Sequence, residues 1–315
     1  MQYARSQRSR QHRARMMTFG TGLLALLSFG LADVVPAAAE TLDRVRETGK
    51  LTLGYRVDAG PFSYRDGSGK AAGYSIELCE KIAEEVKASV GLSNLAVNWI
   101  PVTLEDRFRA VQESRIDLLC GADTVTLSRR KDVAFSIPIF ESGIGVVVRA
   151  DAPIALRGVL GGQPQAGPIW RGSPALILEN KTFAAVPGTT SERWLADRYE
   201  EFRIPATLAA VKDYASGLHR VLDGSADAFF GDRPILVEAV RGSSAADSLL
   251  VLDQLFTSEQ IALALARNDD DFRLTVDRAL SRLYETPDFR DLYFKWFGEP
   301  DENTLNYFRI KVLAE

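Results

Sequence analysis

Histidine is almost missing from this 315-residue chain, which has two, and cysteine is as scarce. His12 lies in an N-terminal leader and His219 within a helical pattern, so neither a metal cluster nor a histidine-assisted nucleophile can be assembled. No Walker-type phosphate loop and no dinucleotide fingerprint is present. Positive charge is not in excess either: 38 basic residues face 42 acidic ones. Without a basic face, nucleic acid is excluded as a partner. After the first forty residues no apolar run is long enough for a membrane span.

The leader itself is informative. Arg5, Arg8, Arg10, Arg13 and Arg15 precede an apolar run over 19–35, and Pro36-Ala37-Ala38-Ala39-Glu40 follows. A basic segment, an apolar segment and a small-residue cleavage site make a signal peptide over 1–39, which places the mature chain in the periplasm. The run is interrupted by Gly20, Gly22, Gly30 and Asp33, which argues against a retained anchor. Cleavage removes five arginines and Asp33, so 38 basic and 42 acidic residues become 33 and 41, a formal −8. The ~276 residues left exceed one typical core and suggest two lobes. Cys79 and Cys120 both fall in the first lobe. The simpler expectation is two buried thiols acting as small hydrophobes; a bridge is the alternative that an exported chain permits.

From Lys50 onward, strand and helix patterns alternate, predicting an α/β architecture. Leu51, Leu53 and Tyr55 open a strand, and 61–73, rich in turn formers, predicts a hairpin. Ile76, Cys79, Ile82, Ala83 and Val86 recur at helical spacing. A strand over 97–100, a helix capped by Thr103 with the stripe Leu104, Phe108 and Val111, and a strand over 116–120 complete a βαβαβ unit. The same order returns with strands at 182–186, 206–211 and 226–230 and helices at 191–202 and 213–222. The stretch from Ala110 to Gly121 matches that from Arg220 to Gly231 in pattern, so two lobes of one design are expected. We take them as 40–144 with 262–315, and 145–261. Near the C-terminus, Phe272, Val276, Ala279, Leu280 and Leu283 form one helical stripe. Phe289, Leu292, Tyr293, Trp296 and Phe297 form another, expected to pack on a lobe core.

Ligands of open α/β sheets sit beyond the carboxyl ends of the strands, which directs attention to four loops: 56–62, 121–129, 188–191 and 231–233. The third has the clearest physics. Gly188-Thr189-Thr190-Ser191-Glu192 follows a strand and opens a helix, with Thr189 and Glu192 spaced as a capping box. Backbone N–H groups and hydroxyls at a helix start suit a carboxylate.

Together these pieces resemble the periplasmic amino-acid-binding proteins of ABC importers, over 42–297. The resemblance rests on Gly54 through Pro61-Phe62, Gly73-Tyr74-Ser75-Ile76-Glu77-Leu78, the strand from Asp117 to Gly121, and Thr126-Leu127-Ser128-Arg129-Arg130. It continues through Phe135-Ser136-Ile137-Pro138, Gly188-Thr189-Thr190-Ser191, Asp232 and Lys295-Trp296-Phe297-Gly298. It implies a monomeric two-lobed binding protein without cofactor, which closes on a small amino acid and passes it to an inner-membrane ABC permease. Residue by residue, the arginine that clamps the ligand α-carboxylate falls on Arg129, the preceding loop on Gly121, Ala122 and Thr124, and the helix start on Thr190 with Ser191 beside it, next to the capping Thr189. The acid that pairs with the α-ammonium falls on Asp232.

Side-chain selectivity is implied by Arg56, where relatives that bind basic ligands carry aspartate, and by Arg107, which matches a position used by the glutamate/aspartate subgroup. Two unpaired guanidinium groups would favour a carboxylate over its amide. The chain departs from that subgroup at Leu104 and Ala122, where serines are usual, and at Tyr214, where the cleft histidine is usual. Ala59 replaces an aromatic stacking residue, and 158–180 is longer than the usual connector. An enzyme on the same fold, of the prephenate or arogenate (cyclohexadienyl) dehydratase type, is the alternative; it would need a general acid in the cleft, with Glu192 and Asp232 as candidates.

Overall fold

The computed structural model describes residues 40–162 and 175–314. The signal-peptide reading and positions 163–174 of the long connector lie outside them.

Two open sheets, with strands numbered along the chain, organise the described residues. The first runs β5 (Ala96–Val102), β1 (Lys50–Arg56), β6 (Leu118–Thr124), β14 (Glu259–Leu265) and β7 (Ala134–Phe135), with β8 (Phe140–Ser142) also on β14. The second runs β11 (Thr207–Ala210), β10 (Thr182–Ala185), β12 (Ala228–Asp232), β9 (Ile144–Arg149) and β13 (Leu249–Val251). The expected hairpin is a small sheet of β2 (Asp58–Ala59), β3 (Ser63–Arg65) and β4 (Ala71–Ala72). In the first sheet β1 is parallel to β5 and β6; in the second β10 is parallel to β11 and β12. Each parallel core is extended by one antiparallel strand, β14 on β6 and β9 on β12. The result is the two-lobed α/β fold that the alternation predicts. β12 is buried throughout and β9 along all but its last residue, as strands covered on both faces are.

The internal repeat has a physical counterpart. Asp117, just before β6, accepts the Thr52 N–H at 2.7 Å, and Asp227, just before β12, accepts the Thr182 N–H at 2.8 Å. In both lobes an aspartate therefore holds the entry of the next parallel strand in register.

The helix Tyr74–Ser89 buries Ile76, Cys79, Ile82, Ala83 and Val86 as its spacing predicts. Asp270–Tyr284 and Pro287–Phe297 lay their stripes on the first lobe, where Phe297 meets Phe140 at 4.5 Å between ring centroids. Edge and tilted aromatic packing of this kind adds to simple burial. The second lobe closes around Phe183, Leu195 and Phe230.

Two expectations are corrected. The helix after β5 is only Arg107–Gln112, and Thr103 instead accepts the Asp106 N–H at 3.1 Å in the turn before it, so Leu104 precedes the helix. Cys79 and Cys120 are joined, with their Cα atoms 6.3 Å apart. Both are fully buried, and sequence spacing alone does not reveal that the helix sets one over the other.

Candidate ligand-binding cleft

Strand ends from both sheets converge on one cavity of about 40 Å3. Arg56, Arg107, Ala122, Thr124 and Arg129 wall it from the first sheet, and Thr189, Thr190, Tyr214 and Asp232 from the second. Nine of the eleven residues singled out from the sequence are thus brought together; Gly121 and Ser191 are not on its wall. Gly121 sits one layer back, where a side chain would meet the Asp123 carboxylate at 2.5 Å. Ser191 is buried, and its hydroxyl has no hydrogen-bond partner among the described residues. Past Arg107 and Arg129 a second hollow of about 440 Å3 shares their wall and reaches Trp194.

Arg129 is the most unusual charge here. Its Nη1 donates to the Thr124 carbonyl at 2.8 Å and its Nη2 to the Gly188 carbonyl at 3.5 Å. Among the described residues no carboxylate lies in salt-bridge contact with it. Burial, and then the neighbouring Arg107 charge, hold its pKa below the usual arginine range. A desolvated guanidinium bonded only to neutral carbonyls is set to receive an anion.

Beyond it the helix Thr190–Phe202 begins. Thr189 caps it, accepting the Glu192 N–H at 3.2 Å, but the expected capping box is displaced by one residue: the Glu192 carboxylate takes the Gly188 N–H at 2.8 Å.

Asp232 faces Arg129 across the cavity from the end of β12. Its backbone N–H donates to the Tyr214 hydroxyl at 3.1 Å, so Tyr214 positions Asp232 as well as lining the wall. Gly231 permits this approach, since a Cβ there would lie 2.8 Å from the Tyr214 ring. The Asp232 Oδ1 is buried and unpartnered among the described residues. Its pKa is pushed up to about 7, first by burial and then by the charge of Glu259, against the pull of Arg129.

The two arginines expected to read the ligand side chain are not unpaired. Arg56, 8% exposed, donates from Nε and Nη2 to Asp58 Oδ1 at 2.9 and 2.6 Å. Arg107, 5% exposed, donates from Nε to Asp123 Oδ1 at 2.5 Å and from Nη1 to the Leu104 carbonyl. It also lies 4.1 Å over the Phe108 ring. Among the described residues Nη1 of Arg56 and Nη2 of Arg107 make no hydrogen bond.

Three acids escaped the sequence reading. Asp58 and Asp123 neutralise the arginines. Glu259, at the start of β14, accepts from the Thr124 and Thr190 hydroxyls at 2.9 and 3.0 Å, and so ties the two lobes together. Thr257 holds its other oxygen at 2.9 Å. The charge reversal at Arg56 was visible in the sequence. The proximity of Glu259, 135 residues from Thr124 and 69 from Thr190, was not.

Comparison with known proteins bears on the family and the fold. Residues 51–299 match the model of the bacterial extracellular solute-binding proteins, family 3. The glutamate/aspartate import solute-binding protein of Escherichia coli strain K12 is 28% identical over 284 residues, covering 89% of this chain and 88% of its own. The L-glutamate/L-aspartate-binding protein of Pseudomonas aeruginosa is 30% identical over 261 residues, covering 82% and 80%. Among solved structures, the ancestral amino-acid-binding protein AncCDT-1, a precursor of cyclohexadienyl dehydratase, superposes with a TM-score of 0.66 at 25% identity, covering 82% of this chain and 100% of that one. With its two sheets and a family match over residues 51–299, the chain belongs to the family 3 bacterial extracellular solute-binding proteins.

Proposed function

We propose that this protein captures a free α-amino acid in the periplasm by closure of its two lobes, 40–144 with 262–315 and 145–261, and presents it to an inner-membrane ABC permease. One observation carries the reading. The Arg129 guanidinium, without a carboxylate partner among the described residues, opposes the unpartnered Oδ1 of Asp232 across a single cavity. That is the charge pattern of a zwitterion turned inside out, with Arg129 for the α-carboxylate and Asp232 for the α-ammonium. Thr124 and Thr190 line the same cavity, where their hydroxyls donate to Glu259. We take the ligand to be glutamate, aspartate or a related amino acid. The uncommitted nitrogens of Arg56 and Arg107 favour this, as do the names of the relatives from Escherichia coli and Pseudomonas aeruginosa. Calorimetric titration with glutamate, aspartate, a neutral aliphatic amino acid and arginine tests it. The acids are expected to bind best, and tighter binding of the aliphatic ligand would contradict the side-chain assignment.

A second reading has one observation in its favour. A buried carboxyl near 7 is what a general acid requires, and the ancestral structure above precedes a dehydratase. Incubation with prephenate separates the two: a binding protein leaves it unchanged.

Asp232 also makes binding pH-dependent. Its folded pKa is raised, so the stability it lends the ligand-free protein is full below the ordinary aspartate range and is lost as pH rises through about 7. An ammonium against it restores a low pKa. Binding near pH 6 should therefore expel close to one proton, and Kd should rise about tenfold per pH unit below 7. Titrations in buffers of different ionisation enthalpy measure that proton; a Kd constant from pH 5.5 to 8 would exclude the role.

A further inference from the structure

The chain passes between the two sheets twice, through Gly143 from β8 to β9 and through 252–258 from β13 to β14. The crossings touch: a Cβ at Gly143 would collide with the Thr257 carbonyl oxygen, and Ile144 donates its N–H to the Thr257 hydroxyl at 3.0 Å. Thr257 in turn donates to Glu259 Oε1 at 2.9 Å. Glu259 therefore stands where the sheets are joined, with its second oxygen left for the cleft. That oxygen, Oε2, takes the Thr124 hydroxyl at the end of β6 at 2.9 Å and the Thr190 hydroxyl at the start of the helix Thr190–Phe202 at 3.0 Å. A single carboxylate oxygen thus bonds both walls.

The two threonine bonds differ in what they join. Thr124 pairs with Ile261 in the same sheet as β14, so its bond to Glu259 stays within one lobe, whereas the bond from Thr190 crosses to the other. Other hydrogen bonds that cross nearby are longer: Arg129 Nη2 reaches the Gly188 carbonyl at 3.5 Å and Arg193 Nη1 the Ser128 hydroxyl at 3.3 Å. Every group in the Glu259 set belongs to the protein, so closure forms it without any ligand atom. We propose that Glu259 is an interlobe latch that holds the cleft closed before a ligand arrives, so that the ligand-free protein rests mainly closed and opens to admit its ligand. The latch rests on the reading above that the lobes close on the cleft, and it does not depend on which amino acid enters. Little travel undoes it, because a bond of 3.0 Å is lost once donor and acceptor part by about an ångström more.

Small-angle X-ray scattering tests the latch on wild type, Glu259→Ala and Thr190→Val, each refolded from urea to strip any carried ligand. Loss of one hydrogen bond to a charged group should raise the open-to-closed ratio about tenfold or more. Ligand-free wild type should therefore match its glutamate-saturated radius of gyration, and both ligand-free variants should show a larger one that saturating glutamate reverses. In stopped flow, glutamate should associate at least about threefold faster with Thr190→Val than with wild type, because only the open form admits ligand. A side chain that merely supported the fold would not quicken binding when removed. Ligand-free wild type more expanded than its glutamate complex, folded variants as compact as wild type, or association no faster in Thr190→Val would each overturn the latch. If Glu259→Ala does not fold, as a thermal melt would show, Thr190→Val decides alone. Should calorimetry find no amino acid bound, the function proposed above falls, and comparison of the ligand-free radii still decides the latch.

Discussion

Arg129→Ala should abolish amino-acid binding while leaving the fold intact. The guanidinium donates hydrogen bonds only to the Thr124 and Gly188 carbonyls and makes no salt bridge among the described residues, so the ligand-free protein gains little from it. Removing it frees two acceptors, each costing about 1 kcal/mol, and relieves the burial of a charge, which works in the opposite direction. The melting temperature should therefore stay within a few degrees of wild type. Binding is different, because the ligand carboxylate would enter the same dry space without its partner. Loss of one member of a buried charged pair costs about 2–5 kcal/mol, a rise in Kd of roughly thirtyfold to several thousandfold. Arg129→Lys should fall between, keeping the charge but not the two-pronged geometry. A variant that binds within threefold of wild type would show that the carboxylate sits elsewhere.

The fold was legible because its signals are local and repeated. Ile76, Cys79, Ile82, Ala83 and Val86 mark a helix face without reference to anything distant, and all five are buried in that helix. The match between 110–121 and 220–231 made two lobes visible, and the paired roles of Asp117 and Asp227 supply its physical cause. Misplacements came where a local rule had a near-equivalent alternative. Thr103 caps a turn instead of the helix one turn later, and Glu192 reaches Gly188 instead of Thr189.

The site was legible in membership more than in partnership. Arg129, Thr190 and Asp232 stand at strand ends and a helix start, where an open sheet binds its ligand, and a pattern can point there. What each charge does depends on its neighbours across the fold. Arg56 and Arg107 were recognised as cleft arginines, but the acids that occupy them are two and sixteen residues away, and nothing in the spacing distinguishes a buried ion pair from two solvated charges. Glu259 meets Thr124 across 135 residues and Thr190 across 69. Its arrival depends on the return of β14 to the first sheet, a fact of topology and not of pattern. Two of the cavity's arginines, Arg56 and Arg107, are thus paired with its own acids, and Arg129 is not.

The disulfide carries the largest expected effect on stability. Cys79→Ala with Cys120→Ala opens a covalent loop spanning 41 positions, fastening the helix Tyr74–Ser89 to β6. Chain-entropy reasoning for a loop of that size gives a loss of about 4 kcal/mol, since the cross-link restricts the unfolded ensemble. Urea denaturation of the double variant should show a lower midpoint and a steeper dependence on denaturant, because an unlinked unfolded chain exposes more surface. In a thermal scan the same loss corresponds to a fall of roughly 10 °C. Binding should change far less. Ala122, Asp123 and Thr124 follow Cys120 directly, but β6 is held on both sides by β1 and β14, so its register does not depend on the cross-link. A denatured sample of wild-type protein should accordingly contain no titratable thiol. A double variant that loses under about 1 kcal/mol while binding poorly would reverse the assignment, making the bridge a brace for the ligand wall and not a constraint on the unfolded chain.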